Sequence, residues 1–234
     1  MSSHIGVITF PGSNGDQDSF DAFAIHLQVS TRMIDYRVTD LSGCAAIVLP
    51  GGFSYGDHLR CGAIARFAPV MESLKSFADA GGPVLGLCNG FQVLTEAHLL
   101  PGALLRNQSL QFHCRWVDIV AETARTAWTH ELRKGEILHL PVAHGDGAFF
   151  ADDATLDRME QQGQIVFRYC EPDGTVTPDA NFNGSARSIA GISNERGNVV
   201  GMMPHPERAA DPILGGDDGL KILRSALEYL SVGV

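Results

Sequence analysis

The chain has 234 residues, of which 44% are hydrophobic and 19% charged, and its formal net charge is −10. That length holds one large α/β domain or two small ones, and the composition is that of an ordinary folded protein. The acidic balance, with no run of Lys and Arg, argues against binding to a nucleic-acid backbone, and no window reaches the apolar length of a membrane helix.

Met1-Ser2-Ser3-His4 runs straight into the strand-like Ile5-Gly6-Val7-Ile8-Thr9-Phe10. No basic region precedes a long apolar stretch, so no signal peptide is expected. Pro11-Gly12-Ser13-Asn14-Gly15-Asp16 is a dense loop signal. Gln17 to Leu27 then has helical periodicity, with Phe20, Phe23, Ala24 and Leu27 on one face. Thr31–Tyr36 reads as a strand. Ala45–Leu49 is a continuous apolar run, as in a strand buried on both faces, and it ends in Pro50-Gly51-Gly52-Phe53-Ser54-Tyr55-Gly56-Asp57. The pattern predicts a long helix from about Ala63 to Ala80, stopped by Gly81-Gly82. Pro83–Leu87 is the next strand, and a helix follows to His98.

The second half is less regular. Gln111–Val120 and Ile137–Val142 read as strands, with His144-Gly145-Asp146-Gly147 in a turn after the second. Asp152–Gln162 reads as a helix with an aspartate cap and Gly163 as its stop. Ile165–Cys170, Ser188–Ser193 and Val199–Met203 read as strands, and Leu220–Leu230 as a closing amphipathic helix. No repeat or linker stands out. The expectation is one α/β domain over residues 1–234, with a mixed, mostly parallel sheet flanked by helices. In such sheets, sites form at the carboxyl ends of the strands.

The five cysteines, Cys44, Cys61, Cys88, Cys114 and Cys170, are odd in number and never spaced Cys-x-x-Cys. Neither a disulfide framework nor a metal site is expected, and a reducing cytoplasmic setting fits. Asn107-Gln108-Ser109 matches a glycosylation sequon, which is discounted without a secretory route.

Cys88 lies in Gly86-Leu87-Cys88-Asn89-Gly90-Phe91-Gln92, between a strand and a helix. Small residues two before and two after permit the sharp turn of a nucleophile elbow, and a helix starting at Asn89 would favour the thiolate. A buried core cysteine at a strand end is the plain alternative. A cysteine nucleophile needs a base, a partner that orients the base, and donors for an oxyanion. The last strand runs into Pro204-His205-Pro206-Glu207-Arg208. In an extended segment His205 and Glu207 share a face, so Glu207 would orient the imidazole toward Cys88, unless it pairs with Arg208 instead. Gly52 and Asn89 would supply backbone N–H donors, although Gly51-Gly52 is equally plain turn chemistry. His113 and Cys114 alternate to opposite strand faces and form no ligand pair. His144 reads either as a pocket residue or as an exposed loop histidine.

The elbow together with His205-Pro206-Glu207 resembles the class I, or triad, glutamine amidotransferases. Pro11-Gly12-Ser13-Asn14, Gly51 to Asp57, His144-Gly145-Asp146-Gly147, Asn183-Gly184-Ser185 and Gly201 to Arg208 narrow the likeness. They are similar to the glutaminase subunits of phosphoribosylformylglycinamidine synthases of the stand-alone bacterial type. The resemblance implies a flavodoxin-like fold. It also implies hydrolysis of L-glutamine to glutamate and ammonia through a Cys88 thioester, with Cys88, His205 and Glu207 catalytic. Gly52 and Asn89 would hold the oxyanion, and Gln92 would help to bind substrate. Ammonia would pass to a separate synthetase subunit that converts formylglycinamide ribonucleotide and ATP to the amidine in purine synthesis. The chain itself would carry no cofactor, with ATP and Mg in the partner; related systems include a small third subunit. Two departures stand out. The family often has cysteine at the position of Gly15, which is expected to matter little for the triad. It usually has glutamate at the position of Asp146, near the glutamine pocket or the partner interface. An independent cysteine hydrolase acting on γ-glutamyl compounds and a non-enzymatic subunit with an idle triad are the competing readings.

Overall fold

The computed structural model describes residues 3–232. Met1 and Ser2, which open the segment in which no signal peptide is expected, lie outside that range, as do Gly233 and Val234. Nine strands form one mixed sheet in the order β2-β1-β3-β4-β11-β10-β9-β6-β7. Here β1 is His4–Thr9, β2 Thr31–Asp35, β3 Cys44–Leu49, β4 Val84–Leu87, β6 His113–Ala121, β7 Ile137–His144, β9 Ile165–Cys170, β10 Ile189–Ser193 and β11 Val199–Met202. The strands from β2 to β11 run parallel, and β10, β9, β6 and β7 extend the sheet antiparallel. The expected mixed α/β sheet is therefore present, with its parallel half assembled from the regular first part of the chain and β11.

Strand alternation sorts the core onto two faces. In β3, Ala46 and Val48 join the layer that holds Phe23, Trp128, Tyr169 and Ile222. Ile47 and Leu49 join the layer that holds Leu74, Phe91, Leu94 and Met159. The first layer is covered by α1 (Asp16–Asp21, continued by a wider π-turn over Ala22–His26) and by α5 (Gly219–Ser231). The second is covered by α2 (Val70–Asp79), α3 (Asn89–Glu96) and α4 (Asp153–Gln162). No helix among the described residues is long and apolar enough to cross a membrane.

Three local outcomes differ from the sequence expectation. The helix expected from Ala63 begins only at Val70, after a short 3-10 turn over Ala65–Phe67. Pro69 is the cause: its ring disfavours a helical residue before it, and Ala68 is extended at ψ 144°. His144 ends β7 rather than lying in the following turn. A separate two-stranded ribbon, β5 (Ala103–Leu105) with β8 (Ala148–Phe150), was not foreseen, because each strand is three residues long and its partner is remote in sequence. The α4 helix is as expected, capped by the Asp152 carboxylate on the Thr155 N–H at 2.8 Å and stopped by a left-handed Gly163.

The contact that positions the site is the approach of α3 to β3 and β4. A Cβ on Gly90 would overlap the Leu49 carbonyl oxygen, and one on Gly86 would lie 2.7 Å from the Gly90 oxygen. Gly90→Ala is therefore expected to lower unfolding free energy by about 2–3 kcal/mol. Removing the α4 cap with Asp152→Ala is expected to cost about 1 kcal/mol. Urea titration of both variants checks the ranking; a Gly90 variant no worse than the cap variant would show that α3 has room to move.

Candidate active site

Cys88 is the single residue between β4 and α3. Its backbone has φ 48° and ψ −102°, outside the regions that non-glycine residues favour. Such a conformation costs of order 1–3 kcal/mol and persists only where the surroundings impose it. Here they do: the glycine pair clamps α3 against the strands, and the Cys88 N–H donates to the Met202 carbonyl at 2.8 Å. The expected elbow is present, and Cys88 is 5% exposed.

Strand β11 lies beside β4 with Met202 opposite Leu87, so the residues that follow Met202 emerge next to Cys88. His205 and Glu207 are both buried, with Nδ1 and Oε1 2.6 Å apart. The pairing expected from the sequence is found, but the backbone that makes it is not extended. Pro206–Arg208 forms a 3-10 turn, closed by the Arg208 N–H on the His205 carbonyl at 3.2 Å. Proline is well suited to the first position of such a turn, which curls Glu207 back onto the ring. Arg208, the alternative partner for Glu207, is instead paired with Asp18 at 2.9 Å. Glu207 Oε2 and His205 Nε2 have no hydrogen-bond partner among the described residues.

Burial by itself would lower the His205 pKa. The Glu207 carboxylate and the neighbouring Cys88 sulfur outweigh it, and the pKa is pushed up to about 10. Two glycines make the cluster possible. A Cβ on Gly51 would lie 2.7 Å from His205 Cε1 and 3.7 Å from Cys88 Cβ. One on Gly15 would lie 3.2 Å from Glu207 Oε1. Position 15 thus borders the acid, and a larger residue there would press on Glu207.

Cys88 opens into a cavity of about 110 Å³ whose lining includes Gly52, Gln92, His144 and Asp146. Gly52 has φ 146°, with no room for a side chain against Gly12 and Ser13. Neither the Gly52 nor the Asn89 N–H makes a hydrogen bond among the described residues. The Asn89 side chain accepts from the Ser54 N–H at 3.1 Å and donates to Asp57 at 3.2 Å and Gln92 at 2.9 Å. The Gln92 amide then donates to the Asp146 carbonyl at 2.5 Å. Gln92 therefore sits at the cavity with both ends of its amide engaged, and it shapes the wall that a ligand would meet.

Sequence reasoning missed the Asp57–Cys61–Asp146 group, in which the Cys61 sulfur lies 3.2 Å from a carboxylate oxygen of each aspartate and has one S–H for the two acceptors. Burial raises the Asp57 pKa against its hydrogen bonds from Cys61 and Asn89. Burial, then the bond to Asp146, raises the Cys61 thiol further, so Cys61 is an inert bridge. Gly56-Asp57 was visible as a motif, but its contact with Cys61 depends on a loop that no periodicity describes. A larger cavity of about 590 Å³, lined in part by Arg115, Trp116 and Arg208, adjoins the far side of His205 and Glu207, but its lining does not include Cys88.

The His205 shift has a direct test. The raised pKa means that His205 stays an imidazolium through neutral pH and releases its proton only as pH rises toward about 10. In Glu207→Gln the carboxylate charge is gone while burial remains, so the midpoint is expected to fall. Histidine NMR titration of the two proteins checks this; an unchanged midpoint would mean that Glu207 does not set the charge.

Comparison with known proteins agrees with this geometry. A model of the CobB/CobQ-like glutamine amidotransferase domain matches residues 2–215. The chain is 57% identical over 228 residues to the phosphoribosylformylglycinamidine synthase subunit PurQ of Thermomicrobium roseum, covering 97% of this chain and 95% of that protein. It is 55% identical over 219 residues to the PurQ of Gloeobacter violaceus, covering 94% of each. Among solved structures, a chain of PurLQS from Thermotoga maritima has a TM-score of 0.85 at 40% identity, covering 98% of this chain and 100% of that one. The glutaminase domain of Trypanosoma brucei CTPS, solved with bound acivicin, shares the fold at a TM-score of 0.59 and 16% identity, covering 97% and 94%. The chain belongs to the glutamine amidotransferase family, among the phosphoribosylformylglycinamidine synthase PurQ subunits.

Proposed function

We propose that the chain is the glutaminase subunit of a phosphoribosylformylglycinamidine synthase. It hydrolyses L-glutamine and delivers ammonia to a synthetase subunit, which uses ATP to convert formylglycinamide ribonucleotide to the amidine in purine biosynthesis. The observation that carries this reading is the strained Cys88 beside the buried His205–Glu207 pair, in a chain that matches PurQ proteins over nearly its whole length. The likeness to a chain of PurLQS supports assembly with a synthetase and a small third subunit. ATP and Mg belong to the synthetase, and this chain needs no cofactor of its own. The five free cysteines suit a cytoplasmic location.

The residues assign the steps as follows. Glutamine lies with its side-chain amide over Cys88. The thiolate attacks the amide carbon, a C–S bond forms, and the carbonyl electron pair moves onto oxygen. The Gly52 and Asn89 N–H groups receive this oxyanion. The His205 imidazolium gives its proton to the amide nitrogen, the C–N bond breaks, and ammonia leaves a γ-glutamyl thioester. Neutral His205 then takes a proton from water as the water oxygen attacks the thioester carbon. The C–S bond breaks, glutamate departs, and the thiolate–imidazolium pair returns. Glu207 holds the ring and offsets its charge throughout. Gln92, through Asn89 and Asp146, keeps both sides of the cavity in place.

The deciding measurement is glutamate release from glutamine by the wild type and by Cys88→Ala, each with and without the matching synthetase subunit. Loss of activity on the order of 10³-fold or more in the variant is expected, together with stimulation of the wild type by the partner. Activity that survives Cys88→Ala would remove the nucleophile. Loss without any response to the partner would favour an independent γ-glutamyl hydrolase.

A further inference from the structure

We propose that His144 recognises the carboxamide –NH₂ of the bound glutamine, accepting one of its N–H bonds at Nε2, and thereby selects glutamine over glutamate. The proposal rests on the glutaminase reading above and adds a residue to which that reading gives no role.

Asn107 beside His144 is fully buried. Its Nδ2 donates to the Gln111 carbonyl and to the His144 carbonyl, both at 2.9 Å. Those two bonds identify the amide's nitrogen end and leave Oδ1 as the acceptor. Oδ1 takes the Gly147 N–H at 3.1 Å and faces His144 Nδ1 at 3.0 Å. Because Oδ1 has no hydrogen to give, Nδ1 must carry the ring proton. Nε2 of the neutral ring is then a lone pair, an acceptor only.

That lone pair has no partner among the described residues. His144 is 3% exposed, and its Nε2 is buried. Asn107 holds the ring at Nδ1, and Phe182 packs against it with centroids 5.7 Å apart. Burial, with smaller contributions from His205 and His113, lowers the His144 pKa to about 3. The ring therefore stays neutral at any working pH and is too weak a base to carry protons, a task left to His205. A fixed, neutral, unpartnered acceptor calls for a donor from a ligand.

The location specifies which donor. His144 lines the same cavity as Cys88, and the carbonyl of its neighbour Ala143 faces the Cys88 sulfur at 3.8 Å. A glutamine amide placed for attack by Cys88 brings its –NH₂ into this small space. Glutamate presents only lone pairs to Nε2, so it is repelled as a ligand and released as a product. A site built around a hydrogen bond rejects analogues that lack the matching group far more strongly than an apolar pocket does.

The test separates recognition of –NH₂ from the rest of the site. His144→Asn keeps an N–H at the Nδ1 position for Asn107 and deletes Nε2. His144→Gln carries a carbonyl oxygen to the Nε2 position. Two quantities are measured for each variant in the assembled complex: kcat/KM for glutamine, and the rate at which 6-diazo-5-oxo-L-norleucine alkylates Cys88. That analogue has glutamine's backbone but no amide hydrogens. The expected result is a fall of roughly tenfold or more for glutamine in His144→Asn. Alkylation is expected to stay within about twofold, and His144→Gln is expected to regain part of the loss. An equal fall in both quantities would assign His144 to packing and overturn the proposal. Unchanged glutamine turnover in His144→Asn would overturn it as well. A wild type that neither turns over glutamine nor is alkylated would instead defeat the glutaminase reading itself.

Discussion

The close approach of α3 to the strands beneath it is the constraint on which the site depends. With hydrogen alone at Gly86 and Gly90, the helix backbone comes into contact with the β3 carbonyl of Leu49. The chain must then turn within one residue, and that residue, Cys88, takes a backbone conformation it would otherwise avoid. The strain is local, while its compensation is spread over two buried apolar layers and the parallel pairing of β4 with β3 and β11. The same approach places the first turn of α3 at the carboxyl edge of the sheet. Asn89 and Gln92 there reach the loops around Asp57 and Asp146.

Buried polar groups in this protein are, with few exceptions, satisfied. Asn89, Gln92, Asn107, Asn183 and Asn198 each tie together segments distant in sequence. Among the described residues five buried side-chain atoms have no partner, and three of them, His144 Nε2, His205 Nε2 and Glu207 Oε2, belong to residues at or beside the Cys88 site. Unsatisfied buried groups are costly, so their concentration at one place marks where the fold accepts a local loss in return for chemistry. The charge pattern points the same way: a buried imidazole held protonated by a buried carboxylate lies near a second imidazole that burial holds neutral. In the proposed mechanism one ring moves protons and the other only accepts a hydrogen bond.

The two halves of the sheet make different contributions. The parallel half supplies the elbow, the His205 turn and the Gly51-Gly52 loop, all at strand ends where an open sheet presents its loops. The antiparallel half supplies a wall. Strand β7 ends at His144 and runs into Asp146, and β9 backs this region with Tyr169 packed on Phe182. The proposed nucleophile and its proposed base are thus held by the rigid parallel core, while the surface that faces them is built from strands added beside it.

Much of this was legible in the sequence because the decisive features are local. The elbow follows from small residues around one cysteine, and the α4 boundaries follow from Asp152 and Gly163. Pairing of His205 with Glu207 needed only their spacing, although the turn that accomplishes it differs from the extended segment expected. Pro69 was an equally local signal, and the late start of α2 follows from it. What only the tertiary structure decided is which distant residues meet. Gly15 lies against Glu207, Cys61 bridges Asp57 and Asp146, and Asn107 fixes the tautomer of His144. These contacts join loops whose paths are set by side-chain hydrogen bonds and glycine torsions rather than by any hydrophobic period. The sequence alone determined the fold class and the three residues of the proposed triad, since periodicity and short motifs are properties of neighbouring residues. The shape and polarity of the cavity around them arose only on folding, because a hydrogen bond between residues dozens of positions apart leaves no pattern along the chain.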